Sequence, residues 1–139
     1  MRVFLDANIL FSGSVAESQI AKMIKIIQNN GDCVTNFYAV EEARKNLELK
    51  KFGSLAGLES LLKNISVSNK LILDLPIELN SKDIPILGGA IALKCTHLLT
   101  GDKKDFGFLY GKQVKGVMVV SPKLLAEEMV AKGIIAKKH

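Results

Sequence analysis

Two carboxylates follow apolar segments that are typical of buried strands. Asp6 comes directly after the continuous apolar run at 3–5, and Asp102 follows a short predicted strand at 97–100 through Gly101. In open α/β sheets, ligands bind in the crevice beyond the carboxyl ends of the strands, so acids at these positions are candidates for chemistry. If the first and fourth strands are neighbours at the topological switch point, the two carboxylates converge.

Two further acids are predicted to approach the same edge of the sheet. Glu42 borders the inner face of a helix predicted over 38–50, whereas Glu41 and Glu48 are expected to face water. Asp83 stands just before Pro85, and proline is tolerated in a helix only in its first turn. Asp83 is therefore expected at a helix N-terminus, and it joins Asp6, Glu42 and Asp102 in one predicted crevice.

Four clustered carboxylates need a counter-charge. Two like charges about 4 Å apart repel by roughly 4 kcal/mol at an effective dielectric near 20, so such a group must protonate, separate or bind a cation. An all-oxygen ligand set favours Mg²⁺ or Mn²⁺. A carboxylate-held divalent ion in a basic protein suggests phosphodiester hydrolysis, in which the metal activates water and stabilises charge on the phosphoryl oxygens.

Each acid also has an ordinary structural interpretation. A carboxylate after a strand can simply cap the next helix, which applies to Asp6, and helix N-termini favour aspartate, which applies to Asp83. Glu42 could lie on a solvated helix surface. Asp32 and Asp74 receive only the structural interpretation, since Asp32 precedes a strand and Asp74 lies within a predicted one.

Length and composition favour one domain spanning residues 1–139, with 48% hydrophobic residues available for a core. The sequence contains neither an uninterrupted apolar stretch of about 18 residues nor a signal-peptide pattern, so a cytoplasmic protein without a membrane span is expected. Cys33 and Cys95 are isolated thiols without zinc-ligand spacing. The net charge of +5 rests mainly on lysine, as Arg2 and Arg44 are the only arginines, which favours a polyanionic partner contacted through phosphates.

Alternating strand and helix patterns predict a parallel sheet flanked by helices. The first strand is followed by a loop over 8–14, with Ser14 or Ser18 capping the first long helix and Asn30-Gly31 ending it. Gly53-Ser54 is expected to separate two helices, and Gly88-Gly89 to bring a buried helix into close backbone contact. The predicted strands are 3–5, 33–35, 70–75, 97–100 and 117–120, and the predicted helices include 38–50, one from 55 to 65, one near 86–95, and one after Ser121-Pro122.

Four short motifs, taken in order, resemble the signatures of PIN-domain nucleases, a group that includes VapC-type toxins of toxin-antitoxin pairs. The resemblance covers the chain from Arg2 to the last helix. Its motifs are FLDANIL at 4–10, VEEARKNL at 40–47, DIPI at 83–86 with Ala90, and LLTGDKKDF at 98–106, closed by VVSP at 119–122. Pro85, Gly88-Gly89 and an extra lysine between Asp102 and Asp105 depart from the commonest family pattern.

The resemblance implies an α/β three-layer PIN-like fold with a five-stranded parallel sheet, and Mg²⁺- or Mn²⁺-dependent cleavage of RNA. It implies that the metal site and catalytic acids are Asp6, Glu42, Asp83 and Asp102. It further implies that Asp105 supports the metal through water and that Asn8 and Thr100 buttress the site by hydrogen bonding. It also makes Lys103 and Lys104 candidates for phosphate contact.

The leading hypothesis is therefore a metal-dependent endoribonuclease, the toxin component of a toxin-antitoxin pair, with RNA as substrate and an antitoxin protein as partner. The alternative is a non-catalytic PIN-fold module that binds RNA or protein. A phosphatase of another α/β family ranks lower because Asn8 occupies the place where a second aspartate is usual. A homodimer is a further hypothesis, since the small chain is rich in apolar residues.

Overall fold

The computed structural model describes residues 1–50 and 55–136. Within them, six strands and seven α-helices form one α/β fold whose mostly parallel sheet is flanked by the helices. None of these helices is both long enough and apolar enough to cross a membrane. The elements are β1 (Arg2–Leu5), α1 (Ala7–Gly13), α2 (Gln19–Asn30), β2 (Asp32–Thr35), α3 (Phe37–Lys50), α4 (Leu55–Leu62), β3 (Ser66–Val67), α5 (Ile84–Ala92), β4 (His97–Leu99), α6 (Lys103–Phe106), β5 (Gln113–Val114), β6 (Val117–Val120) and α7 (Pro122–Ala131), with a 3₁₀ turn at Gly107–Leu109.

The sheet order is β3-β2-β1-β4-β6-β5, so the first and fourth strands are neighbours as predicted. The chain moves outward from β1 to β3 on one side, and β4 then starts the other half of the sheet, which places the switch point between β1 and β4. The side chains of Val3, Phe4 and Leu5 have no solvent exposure, which confirms a first strand buried on both faces.

The prediction of a strand over 70–75 is wrong. The third strand is Ser66–Val67, and the apolar residues that follow cross α5 instead of joining the sheet. The Ile72 N–H donates to the Gly88 carbonyl at 3.2 Å, which uses the backbone group that a sheet ladder would need. A Cβ at Gly88 would lie 1.9 Å from the Ile72 carbonyl oxygen, so the predicted close backbone approach at this glycine is confirmed.

The predicted five-stranded, all-parallel sheet is also wrong, because β5 adds a sixth, antiparallel strand at the edge. β5 and β6 are joined by the two residues Lys115 and Gly116, which have φ angles of 48° and 85°. Positive φ at both central residues is the requirement of a type I′ hairpin turn, whose twist matches that of the strands it connects.

The segment after β1 is a helix, α1, and not the predicted loop over 8–14. Asp6 begins this helix, since its Oδ1 accepts a hydrogen bond from the Ala7 N–H at 2.7 Å. Ser18 caps α2 through the Ala21 N–H, which agrees with one of the two predicted caps. The predicted break at Gly53-Ser54 lies outside the described residues.

α5 begins at Ile84 and ends at Ala92, earlier than the helix predicted near 86–95, and Pro85 lies in its first turn as expected. Asn36, which is 1% exposed, ties this helix to α3. Its Nδ2 donates to the Pro85 carbonyl at 2.9 Å, and its Oδ1 accepts from the Ala39 N–H at 3.1 Å. One buried amide therefore holds the starts of two helices together.

Candidate metal centre

The register of β1 and β4 places Asp6 beside Thr100. Leu5 pairs with Leu99, and the Asp6 N–H donates to the Leu99 carbonyl at 3.1 Å. The Thr100 hydroxyl donates to Asp6 Oδ2 at 2.8 Å and accepts from the Asp102 N–H at 3.0 Å. Because Thr100 is fully buried, its hydroxyl fixes the relative positions of the two acid-bearing loops.

The carboxyl group of Asp6 is shielded from solvent. It is 4% exposed, and burial is the main reason that its pKa rises from 3.8 to about 6. The hydrogen bonds from Thr100 and Ala7 lower the pKa, and the nearby charges of Glu42 and Asp102 raise it further. An adjacent cation would favour the ionised form of this carboxylate.

The loop after β4 is shaped by side-chain hydrogen bonds. Asn8 Oδ1 accepts from the Gly101 N–H at 2.8 Å, and Asp102 Oδ1 accepts from the Asp105 N–H at 3.0 Å. The Tyr110 hydroxyl donates to the Thr100 carbonyl at 3.0 Å. Asn8 and Thr100 thus hold the site by hydrogen bonding, while Tyr110 is a support that the sequence reasoning did not single out.

A cavity of about 190 Å³ opens at this edge of the sheet. The structure brings all four predicted acids to its wall, which consists of Asp6, Ala7, Asn8, Glu42, Asn46, Asp83 and Asp102. Glu41, the other glutamate of the motif, instead lies 3.7 Å from Arg44 in an ion pair. Asn46, one helical turn after Glu42, was not predicted, and its amide has no hydrogen-bond partner among the described residues.

Asp83 is the least satisfied of these acids. It precedes α5 but makes no capping hydrogen bond, and its Oδ2 is buried without a partner among the described residues. Burial, followed by the neighbouring Asp105 carboxylate, raises the pKa of Asp83 to about 7. Oxygens of Asp83, Asp102 and Asp105 all lie within 4.8 Å of one another.

Within the cluster of Asp83, Asp102 and Asp105, it is Asp105 that forms an ion pair with a lysine. Lys82 Nζ lies 3.2 Å from Asp105 Oδ2, and Asn80 Nδ2 donates to Asp105 Oδ1 at 3.2 Å. The hydrogen bond with Lys82 is the main reason that the pKa of Asp105 falls below its usual range. Sequence reasoning missed Asn80 and Lys82, although both belong to the polar stretch that leads into Asp83.

The two lysines proposed for phosphate contact both lie on α6. Lys103 and Lys104 are exposed, and Lys104 lines a second cavity that also contains Asp105. Their positions bring positive charge to the rim of the acidic region.

The donor set fits a hard divalent cation. Four carboxylates line one cavity, three beside the end of a strand or the start of a helix and Glu42 within α3. One of their oxygens, Asp83 Oδ2, is buried without a hydrogen-bond donor among the described residues. A buried carboxylate oxygen without a donor carries a desolvation penalty that a cation would offset. Of the residues that the structure describes, no histidine or cysteine lines the cavity, so the ligand chemistry favours Mg²⁺ or Mn²⁺ over zinc.

Comparison with known proteins supports the fold. No protein-family model matches the sequence, and no curated protein matches it. Eight chains of solved structures match, including one from the crystal structure of VapBC2 from Rickettsia felis bound to a DNA fragment from their promoter. That chain is 16% identical, with a TM-score of 0.65 over 87% of this chain and 98% of the other. The likeness shows a shared α/β fold, consistent with the PIN-like fold expected from the motifs.

Proposed function

We propose that the protein is a Mg²⁺- or Mn²⁺-dependent endoribonuclease of the PIN type, and the toxin component of a toxin-antitoxin pair. The observation that carries the proposal is Asp83 Oδ2, a buried carboxylate oxygen with no hydrogen-bond donor in the described part of the chain, in a cavity that also contains Asp6, Glu42 and Asp102. Burying these carboxylates together destabilises the fold unless a cation binds among them.

A divalent ion bound in this cavity would supply an activated water and neutralise charge on the scissile phosphate. Asp6, Asp83 and Asp102 are the proposed principal ligands, with Glu42 and Asp105 completing the set directly or through water. The chain's own contribution is to preorganise these oxygens. Thr100 holds two of the acids in fixed register, and the clamp from Asn36 to Pro85 fixes the start of the helix that Asp83 precedes.

The positive charge around the site supports a nucleic-acid substrate. The chain carries a net charge of +5, and Lys82, Lys103 and Lys104 surround the acidic region. Lysine offers a point charge to phosphate and does not distinguish bases. We therefore propose that these lysines contribute to backbone contact with RNA.

The test is cleavage of a mixed, end-labelled RNA pool by wild type and Asp6→Asn, purified identically, with Mn²⁺, Mg²⁺ or EDTA. Asp74→Asn is the matched control, because Asp74 is exposed and does not line the acidic cavity. We expect wild type and Asp74→Asn to cleave only with the divalent ion, and Asp6→Asn to be inactive while folded.

Equal cleavage by wild type and Asp6→Asn would contradict the assignment of these acids. An RNA-binding wild-type protein that cleaves nothing would favour the non-catalytic module instead.

We also propose an antitoxin protein as partner and a homodimer as the assembled form. The antitoxin proposal is supported by the likeness to a chain of the VapBC2 complex. The homodimer proposal is supported by exposed apolar side chains such as Leu49 and Leu73, which are 79% and 64% exposed. Light scattering of the purified chain, alone and after co-expression with the product of the adjacent gene, tests both. Monomer at high concentration would count against the dimer.

A further inference from the structure

A second cavity, of about 340 Å³, adjoins the acidic one. It is lined by Glu78, Leu79, Asn80, Lys104, Asp105 and Phe108. Asp105 also belongs to the three-acid cluster with Asp83 and Asp102, so one of the proposed metal ligands also lines this second cavity. A molecule whose phosphate lies at the acids could therefore place its next chemical group here.

Two apolar residues, Leu79 and Phe108, line this cavity, and Phe108 supplies its aromatic ring. Phe108 is 56% exposed, whereas Phe106, two residues earlier, is fully buried. The turn that carries Phe108 is fixed at both ends, since Asp102 caps α6 before it and the Tyr110 hydroxyl bonds to the Thr100 carbonyl after it, at 3.0 Å. An exposed aromatic ring on an anchored turn is a preorganised stacking surface.

The same cavity offers polar groups that could meet a ligand. Glu78 and Lys104 make no hydrogen bond or ion pair with the rest of the described chain, and both line the cavity. The Asn80 side chain donates from Nδ2 to Asp105, and its Oδ1 accepts no hydrogen bond within the described residues. A planar ring beside free donors and acceptors matches a nucleobase, and Lys104 matches the phosphate linked to it.

We propose that this cavity is a nucleobase subsite, in which a base adjoining the cleaved phosphodiester of single-stranded RNA stacks on Phe108. The proposal rests on the proposed ribonuclease function and adds a substrate contact to it. Because every base has a π-face, this contact favours unpaired nucleotides over duplex without selecting one sequence.

The experiment measures the affinity of a fluorescein-labelled mixed-sequence octaribonucleotide by anisotropy, in EDTA and low salt, so that binding is separated from cleavage. Stacking on an aromatic side chain contributes about 1–3 kcal/mol per base, so Phe108→Ala is expected to weaken binding about 5- to 150-fold. Phe108→Trp should retain the affinity. Phe37→Ala is the matched control, since Phe37 is 55% exposed but does not line the cavity.

A second arm places a single abasic nucleotide at each position of the octamer in turn. Wild type should lose affinity at one position, and Phe108→Ala should be insensitive to the abasic site there. In the cleavage assay, Phe108→Ala should raise KM with little change in kcat.

Unchanged affinity in Phe108→Ala, an equal loss in Phe37→Ala, or no octamer binding by wild type would each overturn the subsite. Unchanged affinity with a smaller mass in light scattering would assign this surface to a protein contact. A wild type that binds the octamer through Phe108 but cleaves no RNA would refute the ribonuclease and leave the base contact standing.

Discussion

Replacing Thr100 with valine removes one hydroxyl from a fully buried side chain of almost the same shape. That hydroxyl donates to Asp6 Oδ2 at 2.8 Å and accepts from the Asp102 N–H. A hydrogen bond to a charged group contributes about 1.5–3 kcal/mol, against about 1 kcal/mol for a neutral one. The cost of Thr100→Val therefore depends on whether Asp6 is ionised.

The pH dependence follows from the raised pKa of Asp6, which goes from 3.8 to about 6 in the folded chain. The shift means that the ionised form of Asp6 destabilises the folded state by about 3 kcal/mol relative to the protonated form. The free energy of unfolding therefore rises as pH falls from about 6 towards 4, where Asp6 becomes protonated in the folded chain. Without the Thr100 hydroxyl the pKa of Asp6 rises further. We expect Thr100→Val to cost about 2.5–4 kcal/mol at pH 8 and about 2 kcal/mol near pH 5, of which about 1 kcal/mol at either pH is the lost bond from the Asp102 N–H.

Thermal unfolding in EDTA at several pH values measures this effect. For a chain of this length, the cost at pH 8 corresponds to a fall in Tm of about 8–14 °C. Thr35→Val is the matched control, because Thr35 is also fully buried but donates to the neutral Leu5 carbonyl at 2.8 Å. Its cost should be about 1 kcal/mol at every pH. Parallel pH profiles for the two variants would refute the reasoning.

Three further substitutions test the packing and the electrostatics. Asp83→Asn removes a buried acid that lies beside Asp105 and whose Oδ2 has no partner among the described residues, so we expect a higher Tm in EDTA and no further rise with Mn²⁺; a lower Tm in EDTA would contradict this. Asn36→Ala should lower the free energy of unfolding in urea by about 2–3 kcal/mol, because it loses both the cap of α3 and the bond to the Pro85 carbonyl. Asn36→Ser should recover part of this loss, since serine can still cap the helix. Equal losses in the two variants would contradict the capping role. Gly88→Ala should be destabilising in the same assay because its Cβ would lie 1.9 Å from the Ile72 carbonyl oxygen, and wild-type stability would show that the segment moves freely.

The strands at the centre of the sheet were predictable because their own residue types indicate that they are buried. The continuous apolar run of β1 indicates burial on both faces, and the acids that follow β1 and β4 mark the ends of these strands. The strand prediction for residues 70–75 was wrong because it relied on the same kind of local apolar pattern. Their apolar pattern fits a strand, but the segment packs across α5. This packing requires a residue without a side chain at position 88, sixteen residues after Ile72, because a Cβ there would meet the Ile72 carbonyl.

The sixth strand had a signal that the sequence reasoning did not use. Lys115-Gly116 between two short β-prone segments is compatible with a two-residue hairpin turn, but one of its two left-handed residues is a lysine, which weakens the pattern. Within the site, the positions of the four acids followed from strand ends and helix faces. The supports Asn36, Asn80, Lys82 and Tyr110 were not predictable, because each acts through a contact between elements distant in the sequence.

The most direct test of the account is Mn²⁺ binding measured by isothermal titration calorimetry on wild type, Asp102→Asn and Asp74→Asn. If these carboxylates form a divalent metal centre, wild type and Asp74→Asn bind Mn²⁺ saturably and Asp102→Asn loses most of that affinity. Equal binding by all three proteins, or none by wild type, would contradict the metal centre.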